Sequence, residues 1–82
     1  MSSRPAKHSL TLHGHRTSVS LETEFWDALR DIAQAEGRSL AALAAEIDAA
    51  RAPATGLATA LRLHVLRHFR NKAAQTLPPS GG

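Results

Sequence analysis

Cysteine is absent from the chain, which excludes disulfides, thiolate metal sites and thiol nucleophiles and leaves the redox compartment open. Aromatic residues are scarce: one tryptophan, two phenylalanines and no tyrosine. No apolar run approaches the ~20 residues that a membrane span requires. The N-terminus also lacks the apolar core, about 7–15 residues long, of a signal peptide. The chain is therefore expected to be cytoplasmic, with no membrane partner. Its hydrophobic fraction of 43% promises a generous core, but 16 of those residues are alanine and only 19 are larger. A chain of this size buries roughly 60% of its unfolded surface, and at this scale burial barely offsets chain entropy. With no disulfide to help, a second subunit is the expected remedy.

Acids are missing from both ends. Residues 1–20 carry Arg4, Lys7 and Arg16 without an acid, and residues 51–82 carry Arg51, Arg62, Arg67, Arg70 and Lys72 without one. All seven acids fall between residues 21 and 50, against Arg30 and Arg38. The net charge of +3 thus hides a sum of +3, −5 and +5. Basic blocks of this kind suit a polyanionic partner, although a solvated surface would also produce them.

Residues 1–8 read as a flexible basic arm and residues 74–82 as a disordered tail, leaving a single domain over residues 9–73. Within it, Ser9 to Glu22 alternates apolar and polar residues as strands do. If His13-Gly14 forms a two-residue turn, Leu12 faces His15, Leu10 faces Thr17, and the apolar residues share one side. An extended arm over Ser9 to His13 is the alternative. From about Glu22 to Glu36 the period becomes helical, with Phe25, Leu29, Ile32 and Ala33 on one stripe, Trp26 at its margin, and Asp27, Arg30, Asp31 and Gln34 opposite. Gly37 is expected to close this helix in a left-handed conformation. Ser39 suits the N-cap of a second helix, buried through Leu40, Leu43, Ala44 and Ile47 and running to about Arg51. After the break at Ala52-Pro53-Ala54-Thr55-Gly56, a third helix runs from about Leu57 to Ala73. Leu57, Leu61, Val65 and Phe69 lie on one side of it, with Leu63 and Leu66 elsewhere on its circumference. A helix apolar on more than one side wants more than one neighbour.

The stretches Arg16-Thr17-Ser18-Val19-Ser20-Leu21-Glu22, Phe25 to Ala33 and Gly37-Arg38-Ser39-Leu40 together resemble the bacterial ribbon-helix-helix family. The segment Gly56 to Leu63 is similar to the subgroup that adds a third, leucine-rich helix. The resemblance covers about Lys7 to Phe69. It implies a mainly α fold with a short β-ribbon: a homodimer with three helices per subunit, with room for an extra N-terminal strand. It further implies a transcriptional regulator whose partner is double-stranded DNA. In that family, strands of two subunits pair antiparallel and their ribbon enters the major groove, about 12 Å wide.

On that resemblance Arg16, Ser18 and Ser20 would meet base edges. Arginine can grip guanine bidentately, whereas serine hydroxyls discriminate poorly. Arg38, Ser39 and Leu40, at the start of the second helix, would meet a phosphate, and Arg4 and Lys7 would add phosphate contacts from the arm. Val19, Leu21, Phe25, Trp26, Leu29, Ile32, Leu43, Ile47, Leu61 and Val65 would form the dimer core. The bland counterparts are a serine-covered solvent face and plain N-capping by Ser39.

No metal or other cofactor is expected. His13 and His15 form a short H-G-H, and His64 and His68 have the i, i+4 spacing that can share a metal, but neither pair has a third ligand. No nucleophile has a spaced base and there is no glycine-rich phosphate loop, so an enzyme is not expected. The alternative to a DNA-binding regulator is an interaction or antitoxin-like module built on the same dimer. Ser9 to His13 separates the two, because a hairpin there would give the dimer a four-stranded sheet, too broad to insert as a two-stranded ribbon does.

Overall fold

In the computed structural model, which describes residues 4–76, two strands precede three helices. Strands β1 (Pro5–Leu12) and β2 (His15–Glu22) are followed by α1 (Thr23–Ala35), α2 (Leu40–Ala50) and α3 (Leu57–Thr76). The strands form an antiparallel hairpin in which Leu12 pairs with His15, Leu10 with Thr17, His8 with Val19 and Ala6 with Leu21. Of the two alternatives for Ser9 to His13, the hairpin forms, in the register that a His13-Gly14 turn implies. The turn explains that register: His13 and Gly14 both have positive φ, 52° and 80°, as the two-residue turn that follows strand twist requires. The strand begins at Pro5 rather than Ser9, so Pro5 to His8 belong to the sheet and not to a flexible arm. Backbone pairing with Glu22 to Val19 outweighs the polar composition from which the arm was read. At the other end α3 runs to Thr76, past the expected limit at Ala73. The rest of the expected tail, residues 77–82, lies outside the described residues, as do residues 1–3.

Because paired residues share a sheet face, the register puts Leu10, Leu12, Val19 and Leu21 against the helices, and all four are buried. The α1–α2 turn closes as expected, with Gly37 at φ 70° and the Arg38 N–H donating to the Ala33 carbonyl at 3.0 Å, a six-residue closure typical of a left-handed C-terminal cap. Ser39 then caps α2, its hydroxyl oxygen accepting from the Ala42 N–H at 3.1 Å. At α1 the N-cap is Glu22, whose side chain makes no capping bond. The carboxylate is held elsewhere, by Arg62.

One core unites the layers. Leu21, Leu29, Leu43 and Leu61 are 0% exposed and Ile32 2%, each such side chain contributing about 1.5–3 kcal/mol over its exposed state. Of the residues assigned to a dimer core, Val19, Leu21, Leu29, Ile32, Leu43, Ile47, Leu61 and Val65 are all buried within a single chain, while Phe25 and Trp26 are half-buried against that core. Leu10 and Leu12 of β1 lie in the same core and contribute to this burial within one chain.

Two histidines, His8 and His64, bring a buried ring nitrogen without a hydrogen-bond partner to the edge of the core, and the second of them is shifted in its titration. Burial holds the pKa of His64 below the usual 6.5; His68 and Arg38 act in the same direction, and the carboxylates Glu36 and Glu46 act against it. The folded state therefore favours the neutral ring more than the unfolded chain does. That contribution is fully present above about pH 6.5 and is lost as pH falls through the lower folded value.

Two outcomes are expected from this packing. Val19→Asp buries an unpaired charge between sheet and helices and should abolish cooperative thermal unfolding followed by circular dichroism. The urea midpoint of the wild type should fall between about pH 7 and pH 5 more steeply than that of His64→Gln; parallel curves would show that this ring does not contribute.

Candidate nucleic-acid interface

Strand alternation fixes the outward face of the ribbon. Lys7 pairs with Ser20, Ser9 with Ser18 and Thr11 with Arg16, and all six side chains are exposed. The three residues expected to read bases, Arg16, Ser18 and Ser20, therefore do share one exposed face. The hairpin brings Lys7, Ser9 and Thr11 beside them, a juxtaposition that depends on β1 being a strand. Arg4, exposed, immediately precedes β1. The single acid of the two strands, Glu22, is turned away into an ion pair with Arg62. Nε–Oε1 is 2.8 Å and Nη2–Oε2 3.0 Å, the bidentate fork that suits a guanidinium to a carboxylate. The Arg62 hydrogen bond holds the Glu22 carboxyl below its ordinary range, and the same guanidinium lies 5.9 Å from the Phe25 ring centre. The outward face is left polar, cationic and free of unneutralised acid.

At the start of α2, Ser39 is engaged in capping, Leu40 is half-buried, and Arg38 has two carboxylates of its own chain as ionic partners. Its Nη2 is 2.7 Å from Glu36 and its Nη1 pairs with Glu46; these bonds, Glu46 first, raise its pKa above the ordinary value. An arriving phosphate would have to displace them.

Other cations are spent similarly. Arg51 bonds Asp48 at 2.7 Å and the Thr55 carbonyl at 2.7 Å, tying down the loop before α3. Asp48, whose pKa is lowered chiefly by Arg51, also lies 3.5 Å from His13 Nε2 at the hairpin tip. Arg30 pairs loosely with Asp27 at 4.0 Å. By contrast, Lys7 and Arg16 on the ribbon and Arg67, Arg70 and Lys72 on α3 make no ion pair among the described residues.

Sequence reasoning missed two features. The His8 ring stacks on Trp26 with centroids 4.1 Å apart and planes 6° from parallel, pinning β1 to α1. Glu22 and Arg62 are 40 residues apart in sequence. Nothing in either local pattern signals these partners; only the opposite charge of the blocks hinted that acids of the middle would meet bases of the end. Among the described residues no group of three or more His, Asp or Glu side chains has metal-binding geometry, and no helix is long and apolar enough to cross a membrane.

Comparison with known proteins follows the same outline. A solved structure, that of an uncharacterized protein from Bordetella pertussis Tohama I, superposes with a TM-score of 0.74 at 30% identity, covering 96% of this chain. The chain spans 66% of that protein's length. No curated protein matches. The family model for the ribbon-helix-helix domain matches residues 5–69, from the first residue of β1 well into α3. The chain belongs to the ribbon-helix-helix domain family.

Proposed function

We propose that this protein is a homodimeric DNA-binding regulator that lays a four-stranded sheet on the duplex and binds chiefly through phosphates. What supports this above all is the outward face of the ribbon, where Lys7, Arg16, Ser9, Thr11, Ser18 and Ser20 stand exposed with no unneutralised acid among them. Family membership points the same way, since ribbon-helix-helix proteins are commonly DNA-binding regulators.

The mode differs from insertion of a two-stranded ribbon. In a hairpin with a two-residue turn, the pair flanking the turn exchanges backbone hydrogen bonds and the pattern then alternates. For this register the bonded pairs are Leu12–His15, Leu10–Thr17 and His8–Val19, so the N–H groups of Arg16, Ser18 and Ser20 point to the open edge of β2. A second copy pairing along that edge gives the order β1, β2, β2′, β1′. With strands about 4.8 Å apart, the outer axes lie about 14 Å apart, wider than the groove at about 12 Å. Such a sheet meets the backbone on both sides of the groove. Arg16, on the two central strands, then meets phosphates as Lys7 does, and the serines beside it discriminate little between bases.

A second reading, favoured by the same breadth, is that the four-stranded dimer is an interaction or antitoxin-like module that does not bind DNA.

Salt titrations against random duplex and genomic fragments decide between the readings. Lys7→Ala and Arg16→Ala should each weaken binding to all sequences alike and reduce the slope of log K against log salt by about two units, one per copy. A loss of roughly 1–3 kcal/mol confined to a preferred site on Arg16→Ala would instead mean that the ribbon inserts and reads bases. Arg38→Ala should leave DNA affinity unchanged. The absence of salt-dependent binding to any duplex at about 50 mM salt would leave the interaction module. Ser18→Pro removes an edge N–H without touching the hairpin's own bonds and should yield a folded monomer by sedimentation.

A further inference from the structure

The outer side of α3 is built for a neighbour that the chain does not supply. Leu63, Leu66 and Phe69 are 36%, 50% and 44% exposed, and they are the large apolar side chains most open to solvent among the described residues. Leu63 and Leu66 stand on the solvent side of α3, and Phe69, one turn after Val65, borders them where the stripe meets the flank that Ala60, Leu61 and Val65 bury in the core. Single exposed leucines need no explanation, but a contiguous apolar stripe does.

Its surroundings are cationic. Arg67, Arg70 and Lys72 are exposed on the same helix, and residues 51–82 contain no acid. Arg62, which also borders the stripe, is neutralised by Glu22 and adds no net charge. We propose that this face of α3 docks an amphipathic, acid-flanked helical segment of a partner protein. Leu63, Leu66 and Phe69 take the partner's apolar residues, and Arg67, Arg70 and Lys72 pair with its carboxylates.

Charge selects this occupant over the two nearest competitors. A second copy of α3 on the stripe would bring Arg67, Arg70 and Lys72 against their own equivalents, a like-charge contact that costs affinity. An anionic membrane surface suits basic helices, but binding in the interface needs a strongly one-sided apolar face. In α3 much of the apolar surface points inward and is already consumed by the core. The inference stands apart from the DNA reading, which uses the ribbon and not this stripe.

The test uses the full chain and a labelled synthetic helical peptide of about 18 residues, with leucines at i, i+3 and i+4 spacing and glutamates on both flanks. Fluorescence anisotropy should show saturable binding that weakens about fivefold or more between about 50 and 200 mM salt. It should also weaken about tenfold or more in Leu66→Ser/Phe69→Ser. Both positions are exposed, so that variant should keep its thermal transition. A control peptide with lysine in place of glutamate should not bind. The proposal is overturned if the two peptides behave alike, if neither binds, or if the double variant binds as the wild type does. Conversion of a wild-type dimer to monomer by the double variant would give the stripe to a second copy, and loss of binding to phosphatidylglycerol vesicles with peptide binding absent would give it to a membrane; either result also overturns it.

Discussion

The two-residue turn at His13 and Gly14 is the constraint on which the rest of the molecule depends. Side chains alternate across a strand, so shifting one strand by a single residue sends every side chain to the opposite face. With the turn fixed, Leu10 and Leu12 join Val19 and Leu21 beneath the sheet, and Lys7 and Arg16 share the other side. A one-residue slip of β1 would turn Lys7 inward and expose Leu10 and Leu12. Leu12 under the turn and His8 on Trp26 secure the two ends of β1, so packing and turn chemistry select the same register.

Electrostatics then divides the surface. The acids of residues 21–50 do not remain as an acidic patch; most are consumed by nearby arginines. Arg62 takes Glu22, Arg38 spans Glu36 and Glu46, and Arg51 takes Asp48. These pairs are partly exposed, where ion pairs contribute little to stability. Their larger consequence is positional, because they cancel charge around the helices and leave cations on the ribbon face and on the second half of α3. The protein thus has two basic surfaces of different character: one is hydroxyl-rich and flat, the other apolar-striped and helical.

The first strand changes what the family architecture can do. A ribbon made from one strand of each of two subunits is narrow. A chain that brings its own second strand adds Leu10 and Leu12 to its own core, and any edge-paired dimer becomes broader. In the reading proposed above, that breadth would favour the phosphate backbone over base edges, and the outward face carries two cations and four hydroxyl-bearing residues per chain.

Sequence alone determined the elements whose cause is local. Alternation marked the strands, the 3.6-residue period marked the helices, and Gly37 and Ser39 marked the turn between α1 and α2. Each of these follows from backbone geometry over a few residues. The outward grouping of Arg16, Ser18 and Ser20 was legible for the same reason. Tertiary structure alone decided three matters that rest on long-range contact. The first is that Pro5 to His8 pair in the sheet despite their polar composition. The second is that the apolar residues assigned to a dimer interface are buried within one chain. The third is that Arg38 reaches forward to Glu46 on α2 while Arg62 reaches back to Glu22. A side chain's partner across the fold is set by where the elements pack, and no local periodicity encodes that distance.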